Sequence, residues 1–118
     1  MEKITSLDIS SFIVDKVKSM YQMFKGCKVL ESVDLSNFNT ESCTDISEMF
    51  SGCEKLMSLN LSNFNTKKVK NMNMMFISCY NLENIYGFEV LDTSSVTNII
   101  NMFKDCSNLR NINFGENF

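Results

Sequence analysis

Met-Phe occurs four times in this sequence, at Met23-Phe24, Met49-Phe50, Met75-Phe76 and Met102-Phe103, with spacings of 26, 26 and 27. Each Phe is followed three residues later by a cysteine, giving Cys27, Cys53, Cys79 and Cys106. Leu30, Leu56, Leu82 and Leu109 come three after those, and Val33, Leu59, Ile85 and Ile112 three further on. Segments 35–40 and 61–66 share the sequence Leu-Ser-Asn-Phe-Asn-Thr. Chance does not place so many columns in register. A period of this size points to stacked repeats, in which one unit cannot bury its apolar face alone and neighbours bury it together.

The 118 residues form one domain, 1–118, of about four and a half units. We place them at 7–32, 33–58, 59–84 and 85–111, with partial units at both ends. The first half of a unit reads Leu56-x-x-Leu59-x-Leu61-x-x-Phe64, and its alternation at Leu59 and Leu61 predicts a short strand with one buried face. Leu30, Val33, Leu35 and Phe38 fill the same slots one unit earlier, and Ile4, Leu7, Ile9 and Phe12 before that.

In the second half, Val69, Met72, Met75, Phe76, Cys79 and Leu82 recur at steps of three and four, which predicts a helix with one apolar stripe. Thr40, Thr66 and Thr93 stand where a hydroxyl would cap the helix start. Gly26 and Gly52 stand where the helix would end, but Ser78 and Asp105 take that slot later, so a left-handed cap is not expected in every unit. The fourth unit is one residue longer. The shift falls between Ile85 and Phe88, so a bulge or widened turn is expected beside Gly87. The fold class read from this pattern is an α/β repeat solenoid. It is a leucine-rich-repeat-like right-handed coil, with short parallel strands on one face and helices on the other.

The run Met-Phe-x-x-Cys-x-x-Leu-x-x-Leu-x-Leu-Ser-Asn-Phe-Asn-Thr resembles BspA-like leucine-rich-repeat surface proteins. More narrowly it is similar to their 26-residue variant, found in bacterial surface proteins and in some protists and mycoplasmas. The resemblance covers roughly residues 4–114. It implies a leucine-rich-repeat fold, exposure at the cell surface or secretion, and adhesion to a partner. It carries over no catalytic residue, because the recurring columns are all structural.

Composition narrows the chemistry. There is no His, which removes the usual general base and the commonest zinc ligand. The net charge of -3 makes no field that would gather nucleic acid or anionic lipid. The longest apolar run is only a few residues, so no membrane insertion is expected. Residues 1–6, Met-Glu-Lys-Ile-Thr-Ser, lack the basic and then apolar stretch of a signal peptide, which keeps a cytoplasmic location as the alternative. Asn and Ser occur 15 times each, and both bond nearby backbone in turns.

Each reactive residue has a plain reading. The columnar cysteines, and Cys43 in the slot of Val17, Val69 and Val96, read as small buried thiols filling core positions. A row of thiols is not the point-centred ligand set that zinc needs, so no metal site is assigned. The Phe and Met columns read as packing rather than a cofactor groove, and no cofactor is expected. Lys67, Lys68 and Lys70 form a basic run matched only by Lys16 and Lys18, and read as a solvated face. Asp8 and Asp34 share a column on adjacent strands, where they could serve a glycan-acting enzyme or bind a cation, but their plain reading is a solvated polar sheet face.

The surface left for function is the exposed sheet face. Its central column is Asp8, Asp34, Asn60, Tyr86 and Asn113, flanked by Ser6, Ser32, Ser58, Asn84 and Asn111. The expected activity is non-catalytic: an adhesion module offering this polar face to a protein or glycan ligand. An intracellular interaction scaffold of the same fold is the second reading, and an enzyme acting on glycans the third. With no polar capping repeat visible, two readings stay open: the chain is cut from a longer array, or its open strands pair end to end in self-association.

Overall fold

The computed structural model describes the backbone of residues 6–8 and all of residues 17–36, 38 and 40–115. The expectations for Ile4, Ile9, Phe12, Lys16 and the Asp8 carboxylate lie outside the described residues. Short strands form where the alternation placed them: β1 (Ser6–Asp8), β2 (Ser32–Asp34), β3 (Ser58–Asn60), β4 (Asn84–Tyr86) and β5 (Asn111–Ile112). All pairings are parallel, with Leu7 opposite Val33, Leu59 opposite Ile85, and Ile85 opposite Ile112. The sheet is not continuous. β1 and β2 form one pair, and β3, β4 and β5 form a separate three-stranded sheet. Between β2 and β3 the chains touch just ahead of the strands, where the Met57 N–H donates to the Glu31 carbonyl at 3.3 Å.

The predicted helices do not form among the described residues. Among the described residues the only helical element is a single 3-10 turn, Phe88–Val90. The reason lies in where the backbone donors go. In the segment after β1, the N–H groups of Met20, Gln22, Phe24 and Gly26 donate to the carbonyls of Asp45, Ser47, Met49 and Ser51 in the next unit, at 2.8–3.2 Å. The intervening donors of Met23, Lys25 and Cys27 close local turns onto residues three back. Ile46, Glu48, Phe50 and Gly52 repeat the pattern onto Asn71, Asn73, Met75 and Ile77, and Met72, Met74, Phe76 and Ser78 repeat it again. Half of the donors that an α-helix would direct four residues back are therefore committed to a neighbouring unit. The apolar step of three is the step of successive tight turns.

Two columns of left-handed residues make this path possible. Gln22, Glu48, Met74 and Asn101 have φ of 59°, 53°, 52° and 55°. Four residues on, Gly26, Gly52, Ser78 and Asp105 have φ of 75°, 72°, 62° and 64°. The left-handed conformation thus persists in every unit, although Ser78 and Asp105 replace glycine. For a non-glycine residue it costs about 1–2 kcal/mol, and the inter-unit hydrogen bonds made on either side offset it.

The threonines expected as helix caps do something else. The Thr40 hydroxyl donates to the Asn65 carbonyl and accepts the Asn65 N–H, both at 2.8 Å. Thr66 does the same with Asp92, one unit further on. Both threonines are buried, so they rivet adjacent units from within.

The core is a set of columns. Phe24, Phe50, Phe76 and Phe103 stack with centroids 5.3, 5.7 and 5.6 Å apart and rings within 12° of parallel. Phe38 and Phe64 form a second stack at 6.4 Å. Cys27, Cys43, Cys53 and Cys79 are buried in the slots predicted for them, and Cys106 is half-buried. The thiols of Cys53, Cys79 and Cys106 donate to the carbonyls of Phe24, Phe50 and Phe76 at 3.0–3.2 Å, each reaching back one unit.

The extra residue of the fourth unit appears as a widened turn. Gly87 takes φ 79° and leads into the 3-10 turn, with Phe88 buried in the Leu61 slot. A Cβ there would lie 2.4 Å from the Ser62 amide nitrogen, so only glycine fits. In the last unit burial falls off, leaving Ile99, Ile100 and Phe114 exposed. No helix among the described residues is long and apolar enough to cross a membrane.

Candidate functional site

Most of the predicted surface column is occupied with its own backbone. The Asp34 carboxylate accepts the Ser36 N–H at 2.9 Å, the Asn60 amide oxygen accepts the Ser62 N–H at 2.9 Å, and the Asn113 amide oxygen accepts the Gly115 N–H at 3.0 Å. These are Asx turns that end each strand and bend the chain around the corner. Asn65 and Asp92 make a second such corner with Lys67 and Ser94, and Asp45, Asn71 and Asn98 a third with Ser47, Asn73 and Ile100. Five of the 15 asparagines, Asn60, Asn65, Asn71, Asn98 and Asn113, serve these corners. Asp8 sits opposite Asp34 in the β1–β2 register, with Ser6 opposite Ser32.

Tyr86 breaks the series. It stands opposite Asn60 in the register, has no side-chain oxygen placed to bond the amide two residues on, and is 55% exposed. It lines a hollow of about 520 Å³ together with Ser62, Glu89, Arg110, Asn111 and Asn113. The widened turn at Gly87 carries Glu89 to one side. The Arg110 N–H donates to the Glu83 carbonyl at 3.0 Å, which fixes the backbone of Arg110 beside the hollow that it lines. The Asn111 side-chain amide donates to that of Asn84, so these two flanking residues are locked together. The hollow thus offers an aromatic face, a cation, an anion and amides around one space.

Three of the five predicted column residues fall near this place: Tyr86 and Asn113 line the hollow, and Asn60 faces Tyr86 across β3 and β4. Asp34 does not join them. It lies with Asn60, Ser36, Ser62 and Asn63 around a smaller cavity of about 120 Å³ at the break between the two sheets, which the Asn63 side chain spans by donating to the Ser36 carbonyl. Glu89 and Arg110 were not singled out from the sequence. The signal for Glu89 was the added residue beside Gly87. Arg110 follows Glu31, Met57 and Glu83 in a column that borders the strands, and charge in that column gave no reason to prefer it.

The thiols differ in acidity: the hydrogen bond with the Cys79 thiol lowers the pKa of the half-buried Cys106, whereas burial raises the deeper ones. Burial pushes the Cys53 thiol up to about 12, and burial raises Cys43 as well. A thiol held protonated in this way is a poor nucleophile. Among the described residues no three acidic or thiol side chains converge as a metal would need.

A family model described as "Mycoplasma protein of unknown function, DUF285" matches residues 1–115. No curated protein matches the chain, and no solved structure does.

Proposed function

The chain belongs to that family of Mycoplasma proteins of unknown function, and we propose that it is a non-catalytic adhesion module which holds a glycan in the hollow around Tyr86. The carrying observation is the exchange, at one unit only, of an Asx-turn residue for an exposed tyrosine flanked by Arg110, Glu89 and Asn113. A sugar ring offers an apolar C–H face that packs on an aromatic ring, and hydroxyls that suit planar amide, guanidinium and carboxylate groups. A protein ligand would be expected to find more aromatic anchors than this single one.

In this reading the repeated units form a segment of a solenoid related to leucine-rich repeats, its non-sheet side built from tight turns. The inter-unit hydrogen bonds support it, as does the resemblance of the Met-Phe-x-x-Cys-x-x-Leu columns to BspA-like surface repeats. That resemblance also favours a cell-surface setting over an intracellular scaffold. Binding of the folded chain and of Tyr86→Ala to an array of immobilised glycans tests the proposal. Retention that Tyr86→Ala abolishes, at unchanged melting temperature, is expected. Equal retention by both proteins would remove Tyr86 from the site, and no retention by the parent chain would end the glycan reading.

A further inference from the structure

On a different face, the segments that run from the second corner to the third lie side by side in three successive units. Their outer columns are Glu41, Lys67 and Ser94, then Ser42, Lys68 and Ser95, then Thr44, Lys70 and Thr97, all exposed except the half-buried Ser42 and Ser95. The middle unit therefore puts three ammonium groups where its neighbours put hydroxyls and one carboxylate. Thr66 before them and Val69 among them are buried, and Lys67, Lys68 and Lys70 are all exposed. With Glu41, Thr44, Asn65, Ser94 and Ser95 they line a hollow of about 700 Å³.

The charge here is left over. Elsewhere two lysines pair with acids across units, Lys25 with Glu48 and Lys28 with Glu54. Among the described residues Lys67, Lys68 and Lys70 make no ion pair. The Asp92 carboxylate accepts the Ser94 N–H at 2.8 Å and is held below the usual carboxylate range chiefly by the Ser94 hydroxyl, with the Lys67 charge a smaller contribution. Against three cations the hollow's lining sets one carboxylate, Glu41, and Asp92 lies close enough to Lys67 to feel its charge, so the cations outnumber the acids and favour an anion. Its volume lies within the ordinary range of small-molecule sites, roughly 300–1,000 Å³, and exceeds what one oxyanion fills. Ser95 and Thr44 provide hydroxyls at its edges.

We propose that this hollow binds a tetrahedral oxyanion, as a phosphate or sulfate ester, carried on a sugar-sized polar molecule. The lysines bind the oxyanion as point charges, and the flanking serine and threonine hydroxyls bind the sugar hydroxyls. The site is separate from the hollow around Tyr86 and does not depend on what that one binds.

The test is an amide-shift titration of the full chain at fixed ionic strength with glucose 6-phosphate, glucose 6-sulfate, inorganic phosphate and glucose. Saturable shifts are expected at residues 67–70 and 94–95 with at least one ester, and none with glucose. The responding ester tells the two sources apart. Lys67→Gln with Lys70→Gln should weaken binding by about tenfold or more while the melting temperature holds. Tyr86→Ala and Lys25→Gln should leave it unchanged. Absence of saturable shifts with both esters would overturn the proposal, and so would an equal loss in Lys25→Gln. Inorganic phosphate binding as tightly as the esters would overturn the sugar-sized body.

Discussion

The hydroxyl of Thr66 donates to the carbonyl of Asp92 at 2.9 Å and accepts the N–H of the same residue at 2.8 Å. One buried side chain thus satisfies both backbone groups of a residue in the next unit. Thr66→Val keeps the shape and removes both bonds, leaving the Asp92 N–H and C=O without these partners. The expected loss is about 1–3 kcal/mol in urea unfolding, while Thr66→Ser should retain most of the stability. A value for Thr66→Val equal to the parent would mean that the two units are not joined at this point.

Phe50 lies between Phe24 and Phe76, stacked on both and fully buried. Phe50→Ala interrupts the column at its middle and leaves a cavity that rigid neighbouring turns cannot close. A destabilisation of about 3–5 kcal/mol is expected, at the large end for one side chain. Phe103, half-buried in the last unit, should cost less on the same substitution. Thermal melts of the two variants side by side check both the size and the order.

These columns were legible in the sequence because spacing alone sets them: Phe24 must meet Phe50 if units stack at a period of 26. Strand register was legible for the same reason, with Leu59 opposite Ile85. The helices were misread because residues three apart align on a tight-turn path as they do on a helix, and the left-handed column that separates the two holds Gln22, Glu48, Met74 and Asn101. None of these is glycine, so nothing marked the break. The threonine rivets were misread for a related reason. A Thr three residues ahead of an apolar stripe suits an N-cap, and only the tertiary structure reveals a carbonyl from the next unit within its reach. Of the candidate surface, Tyr86 was visible as the odd member of its column, whereas Glu89 needed the geometry of the widened turn.

Glu48 should tie stability to acid pH. Its carboxylate accepts from Lys25, which lowers its pKa below the usual carboxylate range, with Gln22 and Tyr21 adding smaller contributions. The group is more acidic folded than unfolded, so the unfolded chain binds the proton more readily. Its contribution is fully present above the ordinary glutamate value and fades as pH falls through the lower folded value. Melts between neutral and strongly acidic pH should show Glu48→Gln less stable than the parent at neutral pH, with the two converging in acid. Parallel curves across the range would show that Lys25 and Glu48 do not interact.

The cysteine column should react in order of exposure. Cys53 is pushed up to about 12 by burial, and the hydrogen bond with the Cys106 thiol, followed by burial, drives Cys79 higher still. Both thiols also donate to carbonyls in the preceding unit, so ionisation would break a hydrogen bond as well as leave a buried charge. Under native conditions at mildly alkaline pH, an alkylating reagent should modify Cys106 first, while Cys53 and Cys79 react only as the chain unfolds. Mass mapping of the labelled sites over time checks this order. Early labelling of Cys79 would mean that the last two units open without global unfolding. Protection of Cys53 and Cys79 to the unfolding midpoint would mean that the inter-unit bonds and the aromatic stack break together.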